Sequence, residues 1–377
     1  MAARSFAVFE ATMAESAQSK SYPCEQCGGT LHFDPQRGSL HCRHCGATRL
    51  VQENAQPVAE RDLFEGLSTA ARGLGASQLR TSRCQECGAT VDFSEGLTAT
   101  RCAFCGSPRV LEQAENRSLI RPGSLLPFSQ SREQSSAAFN RWLAGLWFRP
   151  SNLKHLARIH ELVGVYVPYW TFDAEVDSRW TAEAGYYYEV EETFTNRDGQ
   201  EKTRKVRHTR WEPADGWRHD RYDDVLVCAS RGLPPDLANR LRTFDTTKLR
   251  AYAPEYLAGF SAEEYAIDLE RGFAHAKASM DQSQASRCAA DVPGDTHRKL
   301  EVQNRYSALT FKHVLLPVWI AAYRYQDQVF RFLVNGQTGE VVGKAPYSWI
   351  KILLTVLVSA ALLALAYLLA RSRQGDV

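Results

Sequence analysis

Eight cysteines fall into two runs of identical spacing. CEQCGGTLHFDPQRGSLHCRHCG (24–46) and CQECGATVDFSEGLTATRCAFCG (84–106) both read Cys-x2-Cys-x14-Cys-x2-Cys, giving one set of Cys24, Cys27, Cys42 and Cys45 and another of Cys84, Cys87, Cys102 and Cys105. Two residues between paired cysteines turn both sulfurs toward one ion, and fourteen are enough for a β-hairpin that brings two such knuckles together. The chemistry expected is two structural zinc ions in closed four-sulfur sites, in preference to iron–sulfur clusters. Four thiolates leave no coordination position for water, which argues against hydrolytic zinc chemistry. His32, His41 and His44 lie nearby and read as surface histidines, because four cysteines already complete each set. Gly28, Gly46, Gly88 and Gly106 each follow the last cysteine of a knuckle, where a left-handed backbone is often needed and glycine adopts it readily. Phe33 and Phe93 share one register in the two runs and are expected to supply a small apolar floor.

Elsewhere the residues do not form a catalytic pattern. HExxH, GxSxG and a P-loop are all missing, and the nearest approach to a P-loop, Gly339 to Lys344, has the wrong glycine spacing and is followed by Ala345. His160/Glu161 and His219/Asp220 are sequence neighbours, whose side chains face apart in regular structure. An activity in the region 128–345 would need a pocket gathering His208, His219 or His313 with carboxylates. Nucleic acid is an unfavoured partner: residues 1–127 hold thirteen Lys and Arg against thirteen Asp and Glu, without the basic surplus such modules carry. The most basic run, KTRKVRHTR at 202–210, alternates like a solvated strand face, with anionic lipid headgroups as a second reading of its charge.

The elements that must hold these groups come from a chain of 377 residues, 44% hydrophobic, with 45 Lys and Arg against 43 Asp and Glu. That is ample for a core and gives no global pull toward polyanions. The fold expected is multidomain: two small β zinc ribbons, an α+β aromatic-rich middle domain and one C-terminal transmembrane helix. Residues 1–20 read as a disordered lead, 21–50 as the first ribbon and 51–80 as a linker with a short amphipathic helix at 59–72. The second ribbon covers 81–112, and a linker 113–127 precedes the α+β domain at 128–345. Within that domain a capping box of Ser131 and Gln134 opens a helix over 132–147, and another short helix covers 153–162. A hairpin pairs 186–195 with 202–211 around NRDG, and a long helix runs from Ser261 to about Cys288, opened by Ser261 and Glu264. VYVPYWTFDAE (165–175) and VLLPVWIAAYR (314–324) share a Pro-x-Trp strand entry, so two related halves compete with chance as its explanation. Pro168 and Pro317 are expected at strand starts or bulges.

From 352 to 370 nineteen residues pass without a charge, bounded by Lys351 and Arg371, which at about 1.5 Å per residue spans a bilayer's hydrocarbon. The anchor is set at 349–371 with a tail at 372–377, and Tyr347 and Trp349 suit the interfacial belt. Lys344 and Lys351 before the span balance Arg371 and Arg373 after it, so charge alone does not orient it. No signal-peptide pattern opens the chain, and reduced thiols suit the cytosol. The expectation is a single-pass, tail-anchored protein of the cell (inner) membrane with its large N-terminal part cytosolic.

The chain resembles a family of bacterial membrane-anchored proteins with TFIIB-type zinc ribbons. The match rests on the twin ribbons, LWFRPSNLK (146–154), GVYVPYWTFDA (164–174), YSALTFKHVLLPVWIAAYRY (306–325) and NGQTGEVVG (335–343). Members are often mislabelled primosomal protein N′ (replication factor Y), superfamily II helicase, although this sequence lacks a helicase motor. The resemblance implies a scaffold, since some members are associated with SPFH proteins and PspA of phage-shock systems. The function expected is therefore a non-enzymatic membrane adaptor that recruits protein partners and takes no small-molecule substrate. A membrane-tethered nucleic-acid-binding ribbon protein is the alternative.

Overall fold

The computed structural model describes residues 22–52, 58–71, 76–92, 102–105, 107, 110–118, 120–149, 162–195, 200–241, 243–325, 328–344 and 347–374. The first cysteine run folds as an antiparallel sheet of β1 (Tyr22–Pro23), β2 (Thr30–Asp34), β3 (Ser39–Cys42) and β4 (Thr48–Leu50), in that order. Strand β5 (Arg61–Asp62) leads into helix α1 (Leu63–Ala71). Around the second run, β6 (Ala76–Cys84) pairs antiparallel with both β7 (Thr90–Asp92) and β8 (Val110–Ser118). Next come β9 (Ser124–Leu125), α2 (Arg132–Ala144) and the long hairpin of β10 (Val163–Thr195) and β11 (Glu201–Cys228). They are followed by α3 (Pro235–Arg240), β12 (Arg250–Ala251), β13 (Ser261–Glu263) and α4 (Leu269–Asp291). The chain closes with β14 (Thr296–Tyr325), β15 (Gln328–Asn335), β16 (Val341–Gly343) and α5 (Trp349–Gln374).

The two Pro-x-Trp segments lie side by side. In the antiparallel pair β10/β14, Val165 faces Val318 and Tyr169 faces Val314, while Tyr166 faces Pro317 and Pro168 faces Leu315. Their outer neighbours match as well. β13 runs parallel to β10 with Ser261 beside Val165, and β9 runs parallel to β14 with Ser124 beside Val314. β11 brings Cys228 beside Tyr169, and β15 brings Asn335 beside Val318. A half-turn through the middle of the pair maps one set of partners onto the other. Along the chain the order short strand, helix, long strand, returning strand occurs twice, as β9, α2, β10, β11 and as β13, α4, β14, β15, and each short strand pairs with the long strand of the other half.

Both prolines sit inside strands, not at the starts or bulges expected, and the register shifts of β10 fall farther along, between Phe172 and Glu175 and between Thr181 and Glu183. The carbonyl of Pro168 accepts from Ala229 N–H and that of Pro317 from Gly336 N–H, each at 2.9 Å. A residue's N–H and C=O point to the same strand edge. Each missing N–H therefore faces outward, one position beyond the last ladder pair, where no sheet hydrogen bond is lost.

Both faces of β10/β14 are covered along 163–176 and 311–320. On one, Trp170, Phe172, Val176 and Phe311 pack against Leu269, Ala276 and Met280 of α4 and Leu63 of α1. Farther along that face, Tyr166, Leu315 and Trp319 pack with Phe139 and Leu143 of α2 and with Leu31, Phe33 and Leu40 of the first ribbon. On the other, Val165, Val167, Tyr169, Leu316 and Val318 meet Leu237 of α3 and Val91 and Phe104 of the second ribbon. The ribbons are thus the covers of one central sheet. Stretches expected as linkers join it too, since 113–118 lies in β8, 76–80 in β6 and β9 pairs with β14.

Past Gly185, where pairing with β14 ends at Thr296, β10 and β11 continue as a two-stranded arm to Thr195 and Glu201. The basic run 202–210 is one side of this arm. Arg204, Arg207 and Arg210 lie over the rings of Phe194, Tyr187 and Tyr186. At the far end of the chain, Trp349–Tyr367 is 19 residues long, apolar enough to cross a membrane, and unburied.

The capping box of Ser131 and Gln134 forms as expected, and α2 stops at Gly145. The long helix starts later than expected. Ser261 to Glu263 is held as a strand between β10 and β7, and the N-cap is Asp268, whose carboxylate accepts from Arg271 N–H at 2.8 Å. Two ladder partners override the Ser261/Glu264 pattern. The expected lead 1–20, the helix 153–162 except Leu162 and the turn 196–199 lie outside the described residues, as do Phe93, Gly106 and 375–377. Asp268→Ala is expected to lower stability by about 1 kcal/mol in urea unfolding of the detergent-solubilised chain. Ser261→Ala should stay within about 0.5 kcal/mol.

Candidate metal centres

Three of the four knuckles show one complete backbone pattern. The N–H of Cys24, Cys42 and Cys84 donates to the carbonyl five residues on, at 2.6, 2.8 and 2.9 Å, and each carbonyl accepts from the glycine four residues on. Those glycines, Gly28, Gly46 and Gly88, have φ of 72°, 80° and 75°, the left-handed turn that the sequence required. In the fourth knuckle Cys102 N–H donates to Ser107 O at 2.8 Å. The turns aim paired sulfurs at one point. In the first centre Cys24 Sγ lies 3.5 Å from Cys45 Sγ, and Cys27 Sγ 3.5 Å from Cys42 Sγ. In the second, the Cys84–Cys105 and Cys87–Cys102 separations are both 3.6 Å.

A tetrahedral ion with sulfur bonds of about 2.3 Å has sulfur–sulfur edges near 3.8 Å, so the eight cysteines fit two structural metal ions. All eight predicted ligands are brought together in the two expected sets, without a histidine in either. One thiol in each centre is held toward its thiolate form. The N–H groups of Cys45 and His44 hold the Cys42 thiol down to about 6. The Cys87 thiol, then the N–H groups of Phe104 and Cys105, hold Cys102 down to about 5. Burial is unequal: Cys27 and Cys45 are exposed, whereas in the second centre Cys84, Cys102 and Cys105 are buried and Cys87 half-buried.

Each centre is wired into the body. Phe33 N–H donates to Ala258 O at 2.9 Å, and its ring meets Tyr256 edge-on at 5.1 Å. Phe33 thus shares its floor with residues from far outside the ribbon. In the second centre Val91 pairs with Glu263, Glu264 N–H donates to Thr90 O at 2.9 Å, and Phe104 packs against Gly232 so closely that a Cβ there would lie 2.6 Å from the ring. Glu263 itself is buried, accepting from Gly232 N–H at 3.1 Å. Burial pushes its carboxyl up to about 8, and the charge on Cys102 adds to this.

The histidines do not converge. His208 faces Tyr188, His219 faces Asp177 and His313 faces Trp170 along one hairpin and its neighbour, and the first two positions on β10 are about 35 Å apart at ~3.3 Å per residue. His313 is a core residue: burial pushes it down to about 4, and its neutral ring donates through Nδ1 to Ile120 O at 2.7 Å. His219 bonds Asp177 at 2.9 Å on one face, while Asp220 binds Arg218 and Arg287 on the other, so that neighbouring pair does face apart. One buried ionic cluster was not visible in the sequence. Lys312 Nζ reaches Asp224 at 2.8 Å, Glu60 at 3.1 Å and Asp173 at 3.5 Å. Burial opposes its charge, but the Asp224 and Asp173 carboxylates outweigh that and keep it protonated. The acidic trio of Glu60, Asp173 and Asp223 therefore already has its cation nearby.

The chain is 29% identical over 333 residues to the uncharacterized protein YdjG of Bacillus subtilis (strain 168), a match covering 87% of this chain and 90% of that relative. No family model matches the chain, and no solved structure matches it.

Two outcomes follow from burial. A chelator added to the metal-loaded chain should extract one equivalent well before the other, read with a metal-sensitive dye, because Cys27 and Cys45 are open to solvent. Glu263 should make stability pH-dependent. Its folded pKa is raised, so the folded state holds a proton that the unfolded state releases, and stability falls as pH climbs from about 4.5 to about 8. Glu263→Gln is expected to flatten that part of the unfolding profile.

Proposed function

We propose that the protein is a non-enzymatic adaptor, held at a membrane by α5 as a single-pass anchor, that recruits protein partners through its ribbons. The observation that carries this reading is that two closed four-thiolate centres are built into the core of a body whose last helix leaves a 19-residue apolar surface uncovered. Zinc is the metal we assign, since it favours four thiolates in a tetrahedron and such sites serve folding. With four sulfurs per ion, neither centre has a position at which water could be activated. Thiolate ligands persist in a reducing compartment, which supports the cytosolic face of the membrane for the ribbons. SPFH-like and PspA-like proteins are the partners that the resemblance implies.

The first ribbon presents the more accessible surface. The second cysteines of its two knuckles, Cys27 and Cys45, are exposed, and Leu50 on β4 is 80% exposed. Ligand substitutions are a poor test because they would disturb the body's core as well. Surface changes separate the two effects. In membranes crosslinked before solubilisation, Leu50→Glu combined with Arg43→Glu is expected to cut recovery of the principal partner about tenfold, as loss of a ~1.4 kcal/mol contact does, with bound zinc unchanged. An unaltered partner set would remove the first ribbon from recruitment. Salt-sensitive capture of DNA or RNA in its place would favour the nucleic-acid reading.

A further inference from the structure

We propose that Trp147, Phe148 and Arg149 join Tyr347, Trp349 and Lys351 as one collar that seats the body on the lipid headgroup layer at the root of α5. This rests on the reading that α5 crosses a bilayer, and it adds a second attachment from a distant part of the chain. The two stretches are bound to each other. Ser348 N–H donates to Phe148 O at 2.8 Å, and Lys351 Nζ donates to Trp147 O at 3.3 Å. The Arg149 guanidinium lies 3.7 Å above the Tyr347 ring, and Lys351 Nζ lies 5.9 Å from the Trp147 ring centre.

These groups nevertheless leave a large apolar surface open. Trp147 is 75% exposed, Trp349 78%, Ile350 74%, Tyr347 62% and Phe148 41%. The surface runs without a break into the apolar flank of α5, where Leu353 and Leu354 are also exposed. Aromatic rings with a polar edge, next to Lys and Arg whose stems are apolar and heads charged, are the side chains that partition into the headgroup region. Level and reach agree with that occupant. Ser348 and Lys351 are one helical turn apart, about 4.5 Å along the axis, so the 147–149 loop lies within a turn of the point where charges stop. The last sheet strand ends at Gly343 and α5 begins at Trp349, so the five intervening residues let the body stand no more than roughly 20 Å from the span.

The full-length chain is reconstituted in vesicles of phosphatidylethanolamine and phosphatidylglycerol, with or without phosphatidylcholine brominated near the headgroup end of its acyl chains. Emission due to Trp147 is the difference between wild type and Trp147→Leu, and that due to Trp349 comes from Trp349→Leu in the same way. Bromine is expected to quench the Trp147 share about as strongly as the Trp349 share. A Trp147 share that stays unquenched, in a chain that alkaline carbonate does not extract, overturns the collar and leaves the span standing. Extraction by carbonate overturns both. Should Trp147→Leu fail to fold, wild type is tested with a lipid carrying a photoreactive group near its headgroup. Adducts on 147–149 support the collar, whereas adducts confined to α5, or crosslinks from this loop to a second copy of the chain, overturn it.

Discussion

Along 163–176 and 311–320 the pair β10/β14 is buried on both faces, and that constraint shapes the rest of the molecule. A strand such as Val163 to Val176, apolar toward both sides, is stable only between two covering layers. Helices α4 and α2 supply part of one layer and α3 a little of the other, and the ribbons fill what remains. A ribbon of this size has too few apolar residues to fold around them alone. A metal held by the four sulfurs would fix the knuckles while the sheet completes the floor. Metal binding and sheet packing would then support each other, because the side chains ordered by the knuckles also pack on the central strands.

The local twofold shows how the layers are addressed. Equivalent positions on the two long strands receive equivalent short strands, β13 and β9, yet different units lie beyond. β13 leads to β7 and the second centre, whereas β9 leads to β12. The two ribbons, alike in sequence, consequently occupy unlike surroundings. The first keeps two ligands open to solvent and the second keeps none fully exposed. Repeated sequence does not imply repeated exposure.

What was legible in the sequence was local. Cysteine spacing identified both ligand sets, the glycines after each pair marked the left-handed turns, and Ser131 with Gln134 marked one helix start, because each pattern is completed within a few residues. What was not legible depended on partners far along the chain. Ser261 and Glu264 have the form of a capping box, but β10 and β7 claim that segment as a strand. Lys312 was indistinguishable from a solvated lysine until Glu60, Asp173 and Asp224 were folded around it. Likewise Phe33 was recognised as buried, while its partner Tyr256 lies more than two hundred residues away.

The hairpin also departs from the twofold in its length. β15 returns from β14 after a few pairs, whereas β11 follows β10 far beyond the last residue that touches a third strand. The length past Gly185 is added to a shared plan, and among the described residues none from 186 to 210 belongs to a core cluster. Lengthening or shortening both strands by two pairs keeps every side chain on its original face and moves the tip by roughly 7 Å. Reach can thus change while the packing between the sheet and its covers stays fixed, like a boom on a mast already set.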